Sequence, residues 1–329
     1  MSKLYLIIGG GGFIGRHLTR QLVASGEQLR VLDIIARPDQ TPDSVEWHRG
    51  SILDEDPLKN AMQGVDTVFH LAALAHLGVP QTDRYEQVNT IGTENVIKAA
   101  KTHNVEHLLI TSTEVILRDW QHAHPQALTV TDALPDISEM AGPYCRSKLK
   151  AEIIARDAVK NGQPITLLYP TVPIGAGDYN LTAPTAMIRQ FLSAPPPAYL
   201  DCRLNLVPVE DVAKAHILAA AQPAGGRYML GGEDVDMEQL LSWLAVFTQK
   251  KMPNRAIPYN IAALTAHISA FGAKLSGKAP LASVEGVRLA KHKVNVDSQS
   301  TISALNWKVG YIQDALMQTA DWLVANQLL

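Results

Sequence analysis

The stretch LYLIIGGGGFIGRHL, from Leu4 to Leu18, constrains this chain more than any other. An apolar run of strand length meets four consecutive glycines, and a helical pattern begins at once. Gly9, Gly12 and Gly15 fall three residues apart. At a strand-to-helix turn, one glycine permits the tight turn. Another lets the backbone approach a pyrophosphate, and a third lets helix and strand pack closely. The first amides of the helix then face the phosphates, where the helix dipole favours negative charge. A glycine pattern alone is weak evidence, because any tight strand-to-helix turn uses glycine. The context strengthens it. A second strand-like run ends in Asp33, twenty-one residues after Gly12, near the spacing of a carboxylate that binds an adenosine ribose. Gly9, Gly12, Phe13, Ile14, Gly15 and Asp33 are therefore read as a dinucleotide site. A carboxylate at position 33 accepts from a free 2′-hydroxyl and repels a 2′-phosphate. That favours NAD over NADP, although Arg37 is near enough in sequence to reach a phosphate.

The rest of the first half repeats the theme. Strands are expected at Leu4–Gly9, Leu29–Ile34, Val45–Gly50, Thr67–Leu71, Leu108–Ser112 and Ile165–Tyr169. Helices are expected at Phe13–Ala24, Leu58–Met62, Tyr85–Thr102 and Pro143–Val159. Alternation of this kind implies an α/β fold: a Rossmann-type doubly wound parallel sheet with helices on both faces. After Pro170 the texture turns loop-rich. Helical patterns return at Glu210–Ala221, Met237–Thr248, Tyr259–Lys274 and Ile312–Asn326. Residues 1–170 are read as the dinucleotide-binding domain, with 206–230 returning to it. Residues 171–205 and 231–329 are read as a smaller, mostly helical substrate-binding part.

Composition excludes more than it assigns. The 329 residues carry a net charge of only −3 and no basic face, so no nucleic-acid partner is expected. Cys145 and Cys202 make no disulfide framework, which fits a reducing, cytoplasmic setting. No signal peptide and no membrane span is expected. Ile261–Leu275 is apolar and alanine-rich, but His267 and Lys274 interrupt it; it reads as a core or lid helix, or as a contact with a membrane surface or a greasy substrate.

Chemistry enters with "YCRSK". Tyr144 and Lys148 stand at i and i+4, on one face of a helix. A phenol is a poor base, with a pKa of about 10. A neighbouring ammonium and an oxidised nicotinamide both favour the phenolate, and tyrosine then serves as acid or base for a carbinol–ketone pair. The lysine can also hold the nicotinamide ribose. "TSTEVIL" ends a strand in three hydroxyl residues, Thr111, Ser112 and Thr113; one of them could donate to a substrate oxygen as charge develops, or all three could merely cap the strand.

At this point the chain resembles the extended short-chain dehydrogenase/reductase superfamily over essentially its whole length. The resemblance rests on "GGGGFIG", "VFHLAA", "VNTIGTENVIKAA", "TSTEVIL", "PYCRSKLKAE" and "LNLVPVEDVAKAH". It implies that Thr113, Tyr144 and Lys148 are the catalytic hydroxyl, base and lysine, and that Asn89 is structural. The superfamily's adenine-contacting Asp–apolar pair falls on Ser51 and Ile52, so the Asp is absent. Leu71, Ala72 and Ala73 match the wall beside the cofactor. Pro170 lies near the nicotinamide, preceded by Tyr169 where the family commonly has Arg. Within the superfamily the chain is most similar to hopanoid-associated sugar epimerase-like proteins, on "YPTVPIGAGD", "PAYLDCRLNLVPVEDVA" and "YMLGGEDVDMEQLL", and next to dihydroflavonol reductases and 3β-hydroxysteroid dehydrogenases. Many relatives dimerise through the helices matching Tyr85–Thr102 and Pro143–Val159, which implies a homodimer here.

The resemblance leaves two chemistries open. Nucleotide-sugar epimerases of the superfamily hold a diphosphate with an Asn and an Arg at positions that align with Val172 and Leu204. Bare aliphatics do not suit a buried charge, although Arg203 and Arg189 are near in sequence. The favoured reading is hydride transfer between NAD and a secondary alcohol or ketone of a bulky, partly apolar small molecule. The alternatives are a sugar epimerase or dehydratase with retained cofactor, and a non-catalytic NAD-binding sensor or scaffold. That last class usually lacks the Tyr or Lys, and both are present. No metal site is expected: His122 and His124 have no evident further ligand. Cys145, next to Tyr144, should point about 100° away and pack. Trp120–Met140 and the Pro195–Pro197 turn are placed at the substrate entrance.

Overall fold

Apolar β-branched runs alternate with amphipathic ones through the first half of the chain, and the strands and helices follow them. The computed structural model describes residues 3–122, 126–131, 133–276 and 283–329, with backbone alone over 270–276. In order come β1 (Leu4–Ile8), α1 (Phe13–Ala24), β2 (Gln28–Asp33), β3 (Val45–Arg49), α2 (Glu55–Met62) and β4 (Thr67–His70). There follow α3 (Asp83–Tyr85), a π-helical stretch Glu86–Ile91, α4 (Gly92–Thr102), β5 (His107–Thr111), α5 (Pro143–Lys160) and β6 (Ile165–Pro170). The second half contains β7 (Val172–Ile174), α6 (Ala183–Ser193), β8 (Tyr199–Leu200), β9 (Arg203–Pro208), α7 (Val209–Ala220) and β10 (Arg227–Leu230). It ends with β11 (Glu233–Asp236), α8 (Met237–Thr248), β12 (Ala256–Ile257), α9 (Tyr259–Ser276), α10 (Val284–Leu289), α11 (Gln299–Leu305) and α12 (Ile312–Ala325).

Seven strands form one sheet in the order β10-β6-β5-β4-β1-β2-β3. Every neighbouring pair is parallel. Both faces are covered, as a parallel sheet requires. On β1, Leu6 and Ile8 enter one core with α2, α4 and α5, while Ile7 enters the other with α1 and α7. The fold is thus the Rossmann-type α/β fold expected from the alternation. The sheet's last strand, β10, joins β6 from 57 residues further on, Arg227 opposite Leu167.

Around β7, β9 and β11 lies a third core, built by α6, α8 and α12. The sequence pattern did not reveal α6, α10, α11 or β10. Pro184 in the first turn of α6 reads as a loop signal, yet proline is well placed at a helix start, where its missing N–H has no partner to lose. The expected helix Tyr85–Thr102 is also not uniform. Its π-helical stretch carries Asn89, whose side chain donates to the Leu74 carbonyl and Ser147 Oγ and accepts from the Leu74 amide, at 2.7–3.1 Å. That ties the segment after β4 to α5. Among the described residues, no helix is long and apolar enough to cross a membrane.

Candidate active site

The carboxyl ends of β1, β2 and β4 open onto a cavity of about 240 Å³. Gly9, Gly12, Asp33, Ser51, Ile52, Leu71, Ala72 and Ala73 line it, which brings together eight of the residues singled out in the sequence. The glycines divide their work. Gly9 has φ +90°, a conformation that L side chains rarely adopt, and a Cβ there would sit 2.7 Å from the Ala72 amide. A Cβ on Gly15 would meet the Gly9 carbonyl oxygen at 2.2 Å, so Gly15 serves the close packing of helix on strand. Gly12 is different: its backbone is extended, and a Cβ would have only the Gly9 oxygen near it, at 3.2 Å. The bare Cα of Gly12 therefore faces the cavity at the N-terminus of α1. Phe13 stacks edge-on to His17, and Ile14 packs into the core beneath α1, so these two can offer a ligand only their amides.

Asp33 ends β2 and accepts from the Gly11 amide (2.8 Å) and the Ile35 amide (3.1 Å). Its carboxylate thereby holds the glycine turn as well as facing the cavity. Arg37 is turned to Asp43 (2.8 Å) and the Thr41 carbonyl, where it is engaged away from that carboxylate. Extended backbone at Gly12, a carboxylate at Asp33 and the small wall Ala72–Ala73 fit a dinucleotide. A larger hollow, about 610 Å³, lies along the outer side of α1 between Arg20, Trp47 and Trp322, and does not include Thr113, Tyr144 or Lys148.

The second group of residues stands on β5 and α5. The three hydroxyls at the end of β5 have separate partners. Thr111 bonds His216 Nε2 (2.8 Å), whose Nδ1 donates to the Val212 carbonyl, and Ser112 donates to Glu152 (2.8 Å). Thr113 alone turns to Tyr144, within hydrogen-bonding reach of the phenol. The sequence offered three candidates; their neighbours select one.

Tyr144, Lys148, Glu152 and Arg156 recur every four residues on α5 and so share a face. Burial pushes the Tyr144 phenol well above its ordinary pKa, and the neighbouring Cys145 and then Glu285 and Glu114 push it the same way, while the bond from Thr113 opposes them. Lys148 is 6% exposed and donates to the Thr111 carbonyl (2.9 Å). Burial lowers its pKa to about 8, against the pull of Glu152. Glu152 is itself buried and accepts from three donors: Ser112 Oγ, the Tyr169 hydroxyl (2.6 Å) and Arg156 Nε (2.8 Å). A buried carboxylate with three donors is a satisfied one. Tyr169 thus fills its uncommon position by serving this network. Pro170, next along β6, is buried and paired with Leu230.

Two residues of this site carried no signal in the sequence. Glu285 of α10 lies 5% exposed over the start of α5, where it accepts from the amides of Cys145 (2.9 Å) and Tyr144 (3.3 Å). Gly142 makes room for it; a Cβ there would meet Glu285 Cδ at 2.4 Å. A carboxylate at a helix N-terminus satisfies amides that would otherwise lack partners. His70, at the end of β4, is the other. Thr93 Oγ1 donates to the Asn89 carbonyl and so receives the His70 Nε2 proton at 3.0 Å, which leaves Nδ1 without a partner. Burial, then the Lys148 charge, lower its pKa to about 3, so it is neutral.

Other signals resolve simply. Cys145 is fully buried among core residues, as a packing residue would be. His122 bonds Asp119 (2.9 Å), and His124 lies outside the described residues. Val172 and Leu204, the positions matched to phosphate ligands, are half-buried and pack against the apolar core of the second half. Arg203 is held by both oxygens of Asp236 (2.9 and 3.0 Å) and by Asn295 (2.6 Å).

The chain is similar to known proteins in sequence and in fold. The sequence model of the NAD dependent epimerase/dehydratase family matches residues 5–231. A putative dihydroflavonol 4-reductase of Synechocystis is 30% identical, over 98% of this chain and 95% of that protein. The human sterol-4-alpha-carboxylate 3-dehydrogenase, decarboxylating, is 29% identical over 78% of this chain and 70% of its own length. The structure of a Bacillus cereus UDP-glucuronic acid 4-epimerase, in complex with UDP-glucuronic acid and NAD, superposes with a TM-score of 0.76, covering 99% of this chain and all of that one. At 20% identity it speaks for the fold alone.

Proposed function

The chain belongs to the NAD dependent epimerase/dehydratase family, whose members are enzymes, and from that premise we propose that it is an oxidoreductase acting on the secondary alcohol or ketone of a bulky, partly apolar substrate. One observation carries the choice. Where a nucleotide-sugar enzyme would bind its diphosphate, this chain places the half-buried aliphatics Val172 and Leu204 against an apolar core, and the neighbouring Arg203 is locked to Asp236. An unpaired diphosphate at that wall would lose its hydration without gaining partners. The names of the two relatives, a reductase and a sterol dehydrogenase, agree with this reading.

NAD is the proposed cofactor. Gly12 and the first amides of α1 would hold its pyrophosphate, Asp33 its adenosine ribose, and Tyr144 with Lys148 its nicotinamide end. When bound, the nicotinamide supplies or takes the hydride. The remaining roles belong to side chains. Tyr144, kept protonated by burial, gives its proton to a carbonyl oxygen in reduction and recovers it from the alcohol in oxidation. Thr113 donates to the same substrate oxygen as charge develops there. The Lys148 ammonium lowers the cost of the phenolate form. Glu152 holds Ser112 and Tyr169 and supports the charge on Lys148. Residues 1–170 with 206–230 would form the cofactor part, the remainder the substrate part, and a homodimer through α4 and α5 belongs to the same proposal.

The test is to denature freshly purified protein and measure the dinucleotide released. Exchangeable cofactor, with turnover on a panel of hydrophobic ketones and secondary alcohols, is expected. A stoichiometric, non-exchanging dinucleotide and turnover of nucleotide sugars would overturn the reading in favour of an epimerase.

A further inference from the structure

Helix α9 is built inside out. Its small residues face the molecule: Ala262 and Ala266 are buried against Val287 and Ile257. The large aliphatics among its described side chains face away: Ile261, Leu264 and Ile268 are 52%, 62% and 63% exposed. They fall three and four residues apart and so form one stripe. Scattered exposed aliphatics are ordinary on a protein surface. An aligned stripe opposite an alanine face is the reverse of the usual amphipathic surface helix.

Charge is biased around the same helix. Between Glu238 and Glu285 the sequence contains no acidic residue. Lys250, Lys251 and Arg255, which lead into α9, are all exposed. The strand before α9 pairs with Tyr199–Leu200, and the neighbouring Asp201 is neutralised by Lys293 at 2.7 Å. The stretch thus combines an outward apolar stripe with three cations that form no ion pair among the described residues, Lys250 donating to the Leu192 carbonyl (2.7 Å), a pairing suited to a surface that is apolar beneath and anionic on top.

We propose that the outer face of α9 docks on an anionic phospholipid bilayer, the helix lying in the interface with Ile261, Leu264 and Ile268 towards the acyl chains and Lys250, Lys251 and Arg255 among the headgroups. Lying on the membrane is the mode that fits, since no described helix can span it. Docking would bring the candidate site to the bilayer. Helix α9 packs on α10, and Glu285 of α10 binds the amides of Tyr144 and Cys145. The proposal stands on the exposed face of α9 and holds whatever the substrate proves to be.

Sedimentation of the full chain with extruded vesicles tests it, comparing pure phosphatidylcholine with a phosphatidylcholine–phosphatidylglycerol mixture. The chain should pellet with the anionic vesicles, and rising salt should release it, since each cation near the surface contributes about fivefold in partitioning. The triple variant Ile261→Gln, Leu264→Gln, Ile268→Gln should lose at least about tenfold in partitioning and keep its melting temperature, because the three side chains are exposed. Lys250→Gln with Lys251→Gln and Arg255→Gln, further from the helix, should weaken binding to anionic vesicles alone; it keeps the test sharp should the first variant fold poorly. No pelleting with anionic vesicles, or equal pelleting of wild type and both variants, would overturn the proposal. So would a dimer that the Gln variant of α9 dissociates in the absence of vesicle binding, which would assign the face to a second copy of the chain.

Discussion

Replacing Lys148 with methionine should leave the protein at least as stable at pH 7 while abolishing turnover, and the stability difference should depend on pH in a definite way. Lys148 is 6% exposed, and its pKa falls from 10.5 to about 8. That fall makes folding less favourable by about 3 kcal/mol whenever the amine is charged in both states. The sign follows from proton counts. Between pH 8 and 10.5 the unfolded chain binds more protons at this residue than the folded one, so folding stability rises with pH across that window. Below pH 8 the penalty is fully present. Methionine has similar length and no charge, so Lys148→Met removes the penalty, but it orphans the Thr111 carbonyl, which costs about 1–3 kcal/mol. At pH 7 the variant should therefore range from equal to the wild type to about 2 kcal/mol more stable. By pH 10.5 the same variant should be less stable than the wild type, because only the orphaned carbonyl remains. Urea melts of both proteins at pH 7, 8.5 and 10 measure the difference directly. A stability difference that stays constant across those pH values would refute the claim that a buried ammonium is being held in this site.

Three further outcomes are expected. Tyr144→Phe should lower turnover by about 10²–10⁴-fold with an unchanged fold, read by steady-state assay and circular dichroism, since only the phenolic proton and its bond with Thr113 are lost. Gly12→Ala should leave the melting temperature nearly unchanged yet weaken dinucleotide binding by at least about tenfold, while Gly15→Ala should destabilise the fold by about 2 kcal/mol or more, because its Cβ would overlap the Gly9 carbonyl. Glu285→Gln should move the phenol-linked limb of the pH–rate profile modestly to lower pH, since burial still raises the Tyr144 pKa but one of the charges that add to it is gone; an unmoved limb would show that Glu285 acts on α5 through its amide bonds alone.

What could be read in the sequence was whatever depends on neighbours along the chain. The glycine turn, the helix starting at Phe13 and the i, i+4 pair on α5 are local patterns, and the structure has them where the spacing put them. The nearby strand-end residues likewise meet in one cavity. Contacts made across the fold were invisible. Nothing in "SVEGV" announces that Glu285 closes the N-terminus of a helix 140 residues earlier. The choice among Thr111, Ser112 and Thr113 depends on His216 and Glu152, which are distant in sequence. Strand β10, "RYML", is four residues long and opens with a charge, so no periodicity distinguishes it from a turn. The inverted polarity of α9 likewise shows only when burial is assigned to each side chain.

The way β10 completes the sheet also bears on how the chain is made. Residues emerge from a ribosome in order, and β6 is synthesised long before its outer partner, Arg227–Leu230. Until that strand and the segment 171–226 have followed, the edge of β6, fully buried in the finished fold, presents unpaired amides and carbonyls. Slow, non-local parallel pairing of this kind leaves a partly built sheet open to other chains. A truncation at Pro170 would then be the aggregation-prone form of this protein, and the part of the chain that follows would act, during synthesis, as the cover for an edge it does not itself contain.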